Sequence, residues 1–327
     1  MPELPEVETI RLGLQRLILK KTVSNVYNYD SPKSFPNSGA DVRQFLVGAN
    51  VTDVRRRAKV LLIDLSSGYT LMTHLKMTGQ LVYIGSSLPE SSEAASRRAS
   101  VEYASAAARA ADVSSDLAAD SSRLRWGGGH PNDSLVHALP DNTTREHIDF
   151  SDGSRLYFND LRKFGWMKLL PTAEVPNVSF MQKVGPEPLD DSFGPNEFIA
   201  RIRKRNGTTV KAAILDQTVL AGVGNIYADE SLWGAKIHPA TRVKDVTDER
   251  LAALLHEIKT VLALSIEKGG STDKNYVDAE GKKGSYLKFA NVFRLEGQPC
   301  PRCGTTIEKI RVAGRGTHIC PACQVIQ

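Results

Sequence analysis

Four cysteines, all in the last 28 residues of a 327-residue chain, fall as Cys300-Pro-Arg-Cys303 and Cys320-Pro-Ala-Cys323 with sixteen residues between the pairs. No other feature constrains the fold as tightly, because two short turns in a C-x2-C-x16-C-x2-C pattern bring four thiolates to one tetrahedral centre. Gly304, directly after Cys303, supplies the permissive backbone that such a turn needs. Two disulfides or redox pairs are the competing reading. No cysteine is left over, and the first residues carry three glutamates where an export leader would be basic, so zinc is favoured. The spacing predicts a terminal hairpin pinned by one structural Zn2+ that does no chemistry itself.

Ahead of that hairpin the chain is too long for one ordinary domain. Residues 3–19 place Val7, Ile10, Leu14, Leu17 and Ile18 on one helical face. Short strands follow at Thr22–Tyr27, Val51–Arg56, Val60–Asp64, Tyr69–Thr73 and Gln80–Ile84, then at His147–Phe150, Arg155–Phe158 and Trp166–Leu169. Turn signals between them point to an antiparallel sandwich. Between the two sets, 22 of the 40 residues at 86–125 are serine or alanine, with no aliphatic stripe, which marks a surface insertion. Proline-rich stretches at 171–176 and 186–195 form a boundary, after which Phe198, Ile202, Val210, Ile214, Leu215 and the series from Leu251 to Leu264 have helical spacing. The expected domains are residues 1–175, 190–290 and 291–327.

The opening Met1-Pro2-Glu3-Leu4-Pro5-Glu6-Val7-Glu8-Thr9 has two readings. It is a well-formed helix start, with proline in the first turn and glutamates complementing the helix dipole. If Met1 is removed, it is also a secondary amine beside a carboxylate. An α-amino group, with a pKa near 8, is far more often free base than lysine. Such an amine attacks electrophilic carbon and yields an iminium, an electron sink, while Glu3 moves protons at the same centre.

Other segments bear on nucleic acid. The net charge of +5 and pI near 8.9 permit polyanion binding without requiring it. The turn from Asp216 to Asn225 joins two helices through glycines, and Asn225 reads as an N-cap beside a phosphate-sized anion site. Basic clusters at Arg55-Arg56-Arg57-Ala58-Lys59, at Arg201–Lys211, at Lys282-Lys283 and at Arg311 and Arg315 point to a basic cleft, although solvated faces would look alike. Met77 in His74-Leu-Lys-Met-Thr-Gly79 and Phe164 in Asn159-Asp-Leu-Arg-Lys-Phe-Gly165 sit in polar turns, as apolar wedges between base steps do. Core packing is the alternative for both.

Together Pro2–Thr9, Arg56–Lys59, His74–Gly79, Asn159–Gly165, Gly222–Glu230 and the four-cysteine tail, in this order, resemble formamidopyrimidine-DNA glycosylase, over nearly all of the chain outside 86–125. The resemblance implies an α+β multidomain fold: an N-terminal β-sandwich with a leading helix, then a helical helix–two-turn–helix domain ending in a four-cysteine zinc finger. It implies that Pro2 attacks C1′ of the damaged nucleotide, that Glu3 transfers the proton at the sugar, and that Lys59 donates a proton and contacts phosphate during β-elimination. Arg315, in Gly314-Arg315-Gly316-Thr317, would assist δ-elimination. Met77, Arg162 and Phe164 would fill the void left by the extruded nucleotide, with Arg162 facing the orphaned cytosine. Asn225 and Lys211 would hold phosphates, and residues 269–286 resemble a loop that closes over the flipped base. Three departures stand out. Lys163 replaces the second arginine of the usual Arg-Arg-Phe-Gly, keeping charge without bidentate geometry. Arg145 stands near a position where the family has a phosphate-contacting histidine and is entered as a DNA contact on that position alone. The insertion has no counterpart.

The expectation is thus a bifunctional DNA glycosylase and AP lyase of base excision repair that removes 8-oxoguanine and formamidopyrimidines. Its partner would be damaged double-stranded DNA, its metal one zinc held by Cys300, Cys303, Cys320 and Cys323. A monomer in the bacterial cytoplasm with no membrane segment is expected. Endonuclease VIII relatives share the proline and glutamate, so activity on oxidised pyrimidines is the first alternative. A non-catalytic damage-binding protein is the second.

Overall fold

A computed structural model of the chain describes residues 2–29, 32–85, 124–130, 134, 137–271 and 285–326. The insertion expected at 86–125 falls outside the described residues as far as 123.

Helix α1 (Leu4–Ile18) begins with a proline in its first turn, and the Glu6 side chain closes that turn by accepting from the Glu3 backbone N–H at 2.8 Å. Its apolar face is the expected one: Val7, Ile10, Leu14, Leu17 and Ile18 are all buried in the first core. That core is the inside of a sandwich. Strands β1 (Val23–Asn28), β2 (Val51–Arg57), β3 (Val60–Leu65), β4 (Tyr69–His74), β5 (Gly79–Gly85), β6 (Leu124–Gly129), β7 (Thr144–Phe150), β8 (Arg155–Asp160) and β9 (Trp166–Pro171) form two antiparallel sheets. Their orders are β1-β7-β8-β5-β6 and β2-β3-β4-β9. A short helix α2 (Gly39–Phe45), capped by Ser38, links β1 to β2.

Strand β6 (Leu-Arg-Trp-Gly-Gly-Gly) was not expected, and its first two residues belong to the low-complexity stretch. The glycines have a packing cause. A Cβ on Gly128 would lie 2.7 Å from the Ile10 side chain, so α1 crosses the sheet where no side chain is allowed.

Two junctions of this sandwich position the site. Strands β5 and β8 pair from Gly79↔Asp160 to Ile84↔Arg155, so the loop entering β5 and the loop leaving β8 emerge side by side. At the far end of β5, Gly85 pairs with Leu124. The hairpin between β2 and β3 turns through Ala58 and Lys59 alone, with Ala58 in the left-handed region at φ 52°.

The second half is helical: α3 (Ser179–Lys183), α4 (Pro195–Ile202), α5 (Val210–Leu215), α6 (Asn225–Gly234) and α7 (Asp248–Glu267). Phe198, Ile202, Val210, Ile214, Leu251, Leu254, Leu255, Ile258 and Leu262 meet in a second core, as their spacing predicts. Thr209 and Thr247 cap α5 and α7 through side-chain oxygens.

Strands β10 (Glu308–Val312) and β11 (Arg315–Ile319) form the terminal hairpin, turning through Ala313 and Gly314, both at positive φ. At its base the four cysteine sulfurs lie within 4.8 Å of one another, with Cys300–Cys323 at 4.0 Å, Cys303–Cys320 at 3.4 Å and Cys303–Cys323 at 3.5 Å. A tetrahedron of sulfurs about zinc has edges of about 3.8 Å, whereas a disulfide needs about 2 Å. All four thiols are unpaired, and the cluster fits one structural zinc.

Candidate active site

The two halves meet at the start of α1. Leu4 N–H donates to Gly222 O at 3.0 Å, which runs the first residues along the glycine turn between α5 and α6. That turn must be glycine at two places. Gly222 has φ 81°, and a Cβ there would lie 2.5 Å from Leu4; a Cβ on Gly224 would fall on the Glu3 carboxylate. Around this crossing lies a cleft with a cavity volume of about 660 Å³. Pro2, Glu3 and Glu6 line it from α1, Lys59 from the β2–β3 turn, and Met77, Thr78 and Arg162 from the β5–β8 end. Val223 to Ile226 and Arg315 complete the wall.

Inside, Glu3 is buried and its Oε2 accepts no hydrogen bond among the described residues. Burial pushes its carboxyl up to about 7, with Lys59 pulling down and Glu6 pushing up. Burial also lowers the Lys59 ammonium, which the glutamates partly restore and Arg315 lowers further. Lys59 Nζ donates to Val223 O at 3.2 Å, so the β2–β3 turn delivers a lysine across the domain junction. The turn is clamped there: Ala58 packs fully buried against Val184 and Ala221, and its N–H donates to Glu187 Oε1 at 2.6 Å. A carboxyl group poised near neutrality and a weakened ammonium therefore share one cleft with Pro2, an arrangement suited to acid–base chemistry. Met1 lies outside the described residues.

At the cleft mouth Met77 is 43% exposed and Phe164 55%, too open for core residues, and the Arg162 guanidinium lies 4.8 Å over the Phe164 ring. Arg315, the exposed first residue of β11, faces the same cleft.

Several expected contacts are elsewhere. Lys211 is fully buried, donating to Asp229 Oδ1 and Thr317 Oγ1, each at 2.6 Å, so its ammonium ties α5 to the zinc hairpin and does not face a phosphate. Arg145 is buried too, with Nε on Asp160 O at 2.9 Å and a second nitrogen on Asn142 O at 3.1 Å. Its guanidinium satisfies strand-end carbonyls and is not presented to DNA. Asn225 is the first residue of α6 and Gly224 its cap; the Asn225 amide donates to Gly316 O at 3.0 Å, leaving Oδ1 buried and without a partner among the described residues. The clusters taken for a basic cleft are largely neutralised: Arg56 and Arg57 share Glu187, Arg55 pairs with Asp64, Arg203 with Asp248 and Arg205 with Asp216. Of the segment 269–286, residues 272–284 lie outside the described residues, as does the Lys282-Lys283 pair.

The support beneath the site has no local signature along the chain. Glu6, read there only as a dipole complement, accepts from the Tyr227 hydroxyl and from Ser271 N–H at 2.9 Å. Those partners are more than two hundred residues away along the chain, and no local pattern points to them. Asp229 likewise holds His318 N–H at 2.9 Å and so fixes the strand that carries Arg315.

Three family models match in succession: one described as the formamidopyrimidine-DNA glycosylase N-terminal domain at residues 1–167, its H2TH domain at 184–276, and a zinc finger found in FPG and IleRS at 297–325. A protein named formamidopyrimidine-DNA glycosylase from Chloroflexus aggregans is 36% identical over 326 residues, spanning 100% of this chain and 99% of that one. The Lactococcus lactis Fpg, solved in complex with DNA containing an abasic site, superposes with a TM-score of 0.77 at 28% identity, covering 99% of both chains. A MutM structure in complex with DNA containing carbocyclic 8-oxo-G gives 0.76 at 29% identity, over 99% of this chain and 100% of that one.

Proposed function

The chain belongs to the formamidopyrimidine-DNA glycosylase family, and on that premise we propose that it excises oxidised purines from duplex DNA and nicks the strand where the base was lost. 8-Oxoguanine and formamidopyrimidines are the substrates, and the enzyme acts as a monomer in the bacterial cytoplasm. Among the described residues no helix is long and apolar enough to cross a membrane. The observation that carries the reading is that buried Glu3 and Lys59 line one cleft with Pro2, together with exposed Met77 and with Arg162, which stacks on exposed Phe164.

Catalysis at C1′ requires the nucleotide outside the stack, at a cost of a few kcal/mol. Met77 and Phe164 offset that cost by entering the void, and Arg162 meets the orphaned base. With Met1 removed, the Pro2 nitrogen forms a bond to C1′ as the glycosidic bond breaks, and the departing base carries away the electron pair. Glu3, protonated about half the time near neutrality, gives its proton at the sugar and opens the ring to an iminium. Loss of a C2′ proton then expels the 3′ phosphate, with Lys59 donating to the leaving side. Arg315 neutralises the phosphate through the second elimination, and water finally releases Pro2. Zinc on the four cysteines supplies folding energy to the hairpin that carries Arg315.

Borohydride trapping on a duplex with one 8-oxoguanine opposite cytosine tests this. A covalent adduct in the wild type, sharply reduced in Pro2→Gly, is the expected result. Tight binding with no adduct would leave a damage-binding scaffold, and faster cleavage of thymine glycol duplexes would move the enzyme to oxidised pyrimidines.

A further inference from the structure

Exposed side chains that fill a void must be held stiffly, or the free energy of insertion goes into ordering the loops that carry them. Two separate loops are involved, one bearing Met77 and the other bearing Arg162 and Phe164. One side chain touches both. Asp160, the last residue of β8, is fully buried and gathers three donors: the Thr78 hydroxyl and Arg162 N–H (3.2 Å) on Oδ1, and Gly165 N–H (2.6 Å) on Oδ2. The Thr78 oxygen in turn accepts from Arg162 N–H at 3.0 Å, so this hydroxyl is a relay whose direction is fixed at both ends. Gly165 closes the second loop where a Cβ would lie 2.8 Å from the Phe158 ring and 3.1 Å from Asp160 Oδ2.

We propose that Asp160, through Thr78, is the positioning residue that makes the two loops one rigid wedge. This rests on the reading above that Met77, Arg162 and Phe164 fill the void. The brace is chemical as well as steric. A carboxylate offers acceptors on both sides, so it serves Thr78 and Arg162 on one oxygen and Gly165 on the other. An asparagine would set an N–H against one of these donors and uncouple one loop from the other. Arg145 belongs to the same brace, because its Nε bonds to the Asp160 carbonyl at 2.9 Å and steadies the strand end.

The test compares wild type, Asp160→Asn, Thr78→Val and Thr78→Ser in three assays. The first is single-turnover excision of 8-oxoguanine opposite cytosine and opposite adenine. The second is fluorescence of a cytosine analogue opposite the lesion, which reports wedge entry. The third is cleavage of a single-stranded abasic oligonucleotide, which has no stack to fill. Losing one hydrogen bond to a charged group corresponds to about tenfold. Asp160→Asn and Thr78→Val should lose about that much excision and of their preference for cytosine, with wedge entry reduced and Thr78→Ser restored, while Asp160→Asn keeps single-strand cleavage. If Asp160→Asn does not fold, the Thr78 pair decides. Unchanged opposite-base preference and wedge entry in Thr78→Val overturn the proposal, as does an equal loss on the single strand in Asp160→Asn. A wild type that excises no oxidised purine would instead remove the functional reading, and the wedge with it.

Discussion

Glu3 and Gly224 are in such close contact that a Cβ on Gly224 would lie 2.0 Å from the Glu3 carboxyl carbon. The backbone of Gly224 is extended and suits any residue, so the requirement for glycine there is made by Glu3 alone. Gly224→Ala should therefore fold and bind DNA, yet push the carboxyl away from Pro2. A displacement of an ångström at a reacting centre costs about a hundredfold in rate. Single-turnover excision beside a binding titration checks this; an alanine variant with wild-type rate would show that Glu3 need not stay where it lies.

The Glu3 carboxyl, raised to about 7, sets a limb in the pH profile. As the proton donor at the sugar it must be protonated, whereas the Pro2 amine, with a pKa near 8, must be free base, so single-turnover excision should climb with pH as Pro2 deprotonates and stop climbing once Glu3 ionises above about 7. Glu3→Gln should be slow at every pH and lack that limb. A wild-type rate that goes on climbing through about pH 8 would assign the proton to another group.

Glu146 offers a second titration, away from the chemistry. It is 1% exposed, neither of its oxygens accepts a hydrogen bond among the described residues, and burial raises it to about 8, against Arg145. The fold thus favours the protonated form. Its stabilisation is complete below the unfolded value of 4.5 and is lost as pH rises through about 8. Glu146→Gln should flatten the decline in stability between these limits by on the order of a few kcal/mol, whatever its absolute effect. Glu3 contributes with the same sign in the lower part of that window, so the comparison is variant against wild type by denaturant melts at about pH 5 and about pH 8. Equal slopes would mean that Glu146 is hydrated or paired.

Removing one zinc ligand should separate the hairpin from the rest. Cys320 is fully buried at the centre of the cluster, and Cys320→Ser should lose the metal. Arg315 then loses its support, so DNA affinity falls while the sandwich, which has its own core, stays folded. Metal analysis with circular dichroism decides; unchanged zinc content would reject the assignment.

What could be read along the chain was what depends on neighbours along the chain. The apolar face of α1, the short strand runs and the cysteine spacing are local patterns, and each survives in the structure. Strand β6 was hidden because Gly128 answers to Ile10 and Gly129 to the Gly79 carbonyl, both far away in sequence. Lys211 and Arg145 looked like phosphate ligands because a cation shows its charge in the sequence but not its partner. Asp229 and the Asp160 carbonyl had already claimed them. The same blindness hid Glu187, whose one carboxylate absorbs two arginines of the basic run. Pro2-Glu3 and Lys59 converge from two separate segments that only the motif as a whole linked.

Strand β5 has one end at the cleft and the other where it pairs with Leu124 across the junction to residues 86–123. Its seven residues, at about 3.4 Å each, hold those ends about 20 Å apart. A slip of one residue would turn every side chain of the strand over, so the ladder with β8 cannot creep to absorb a change at the junction. The junction is thereby held apart from the cleft, and a reporter grafted between Gly85 and Leu124 should leave single-turnover excision unchanged.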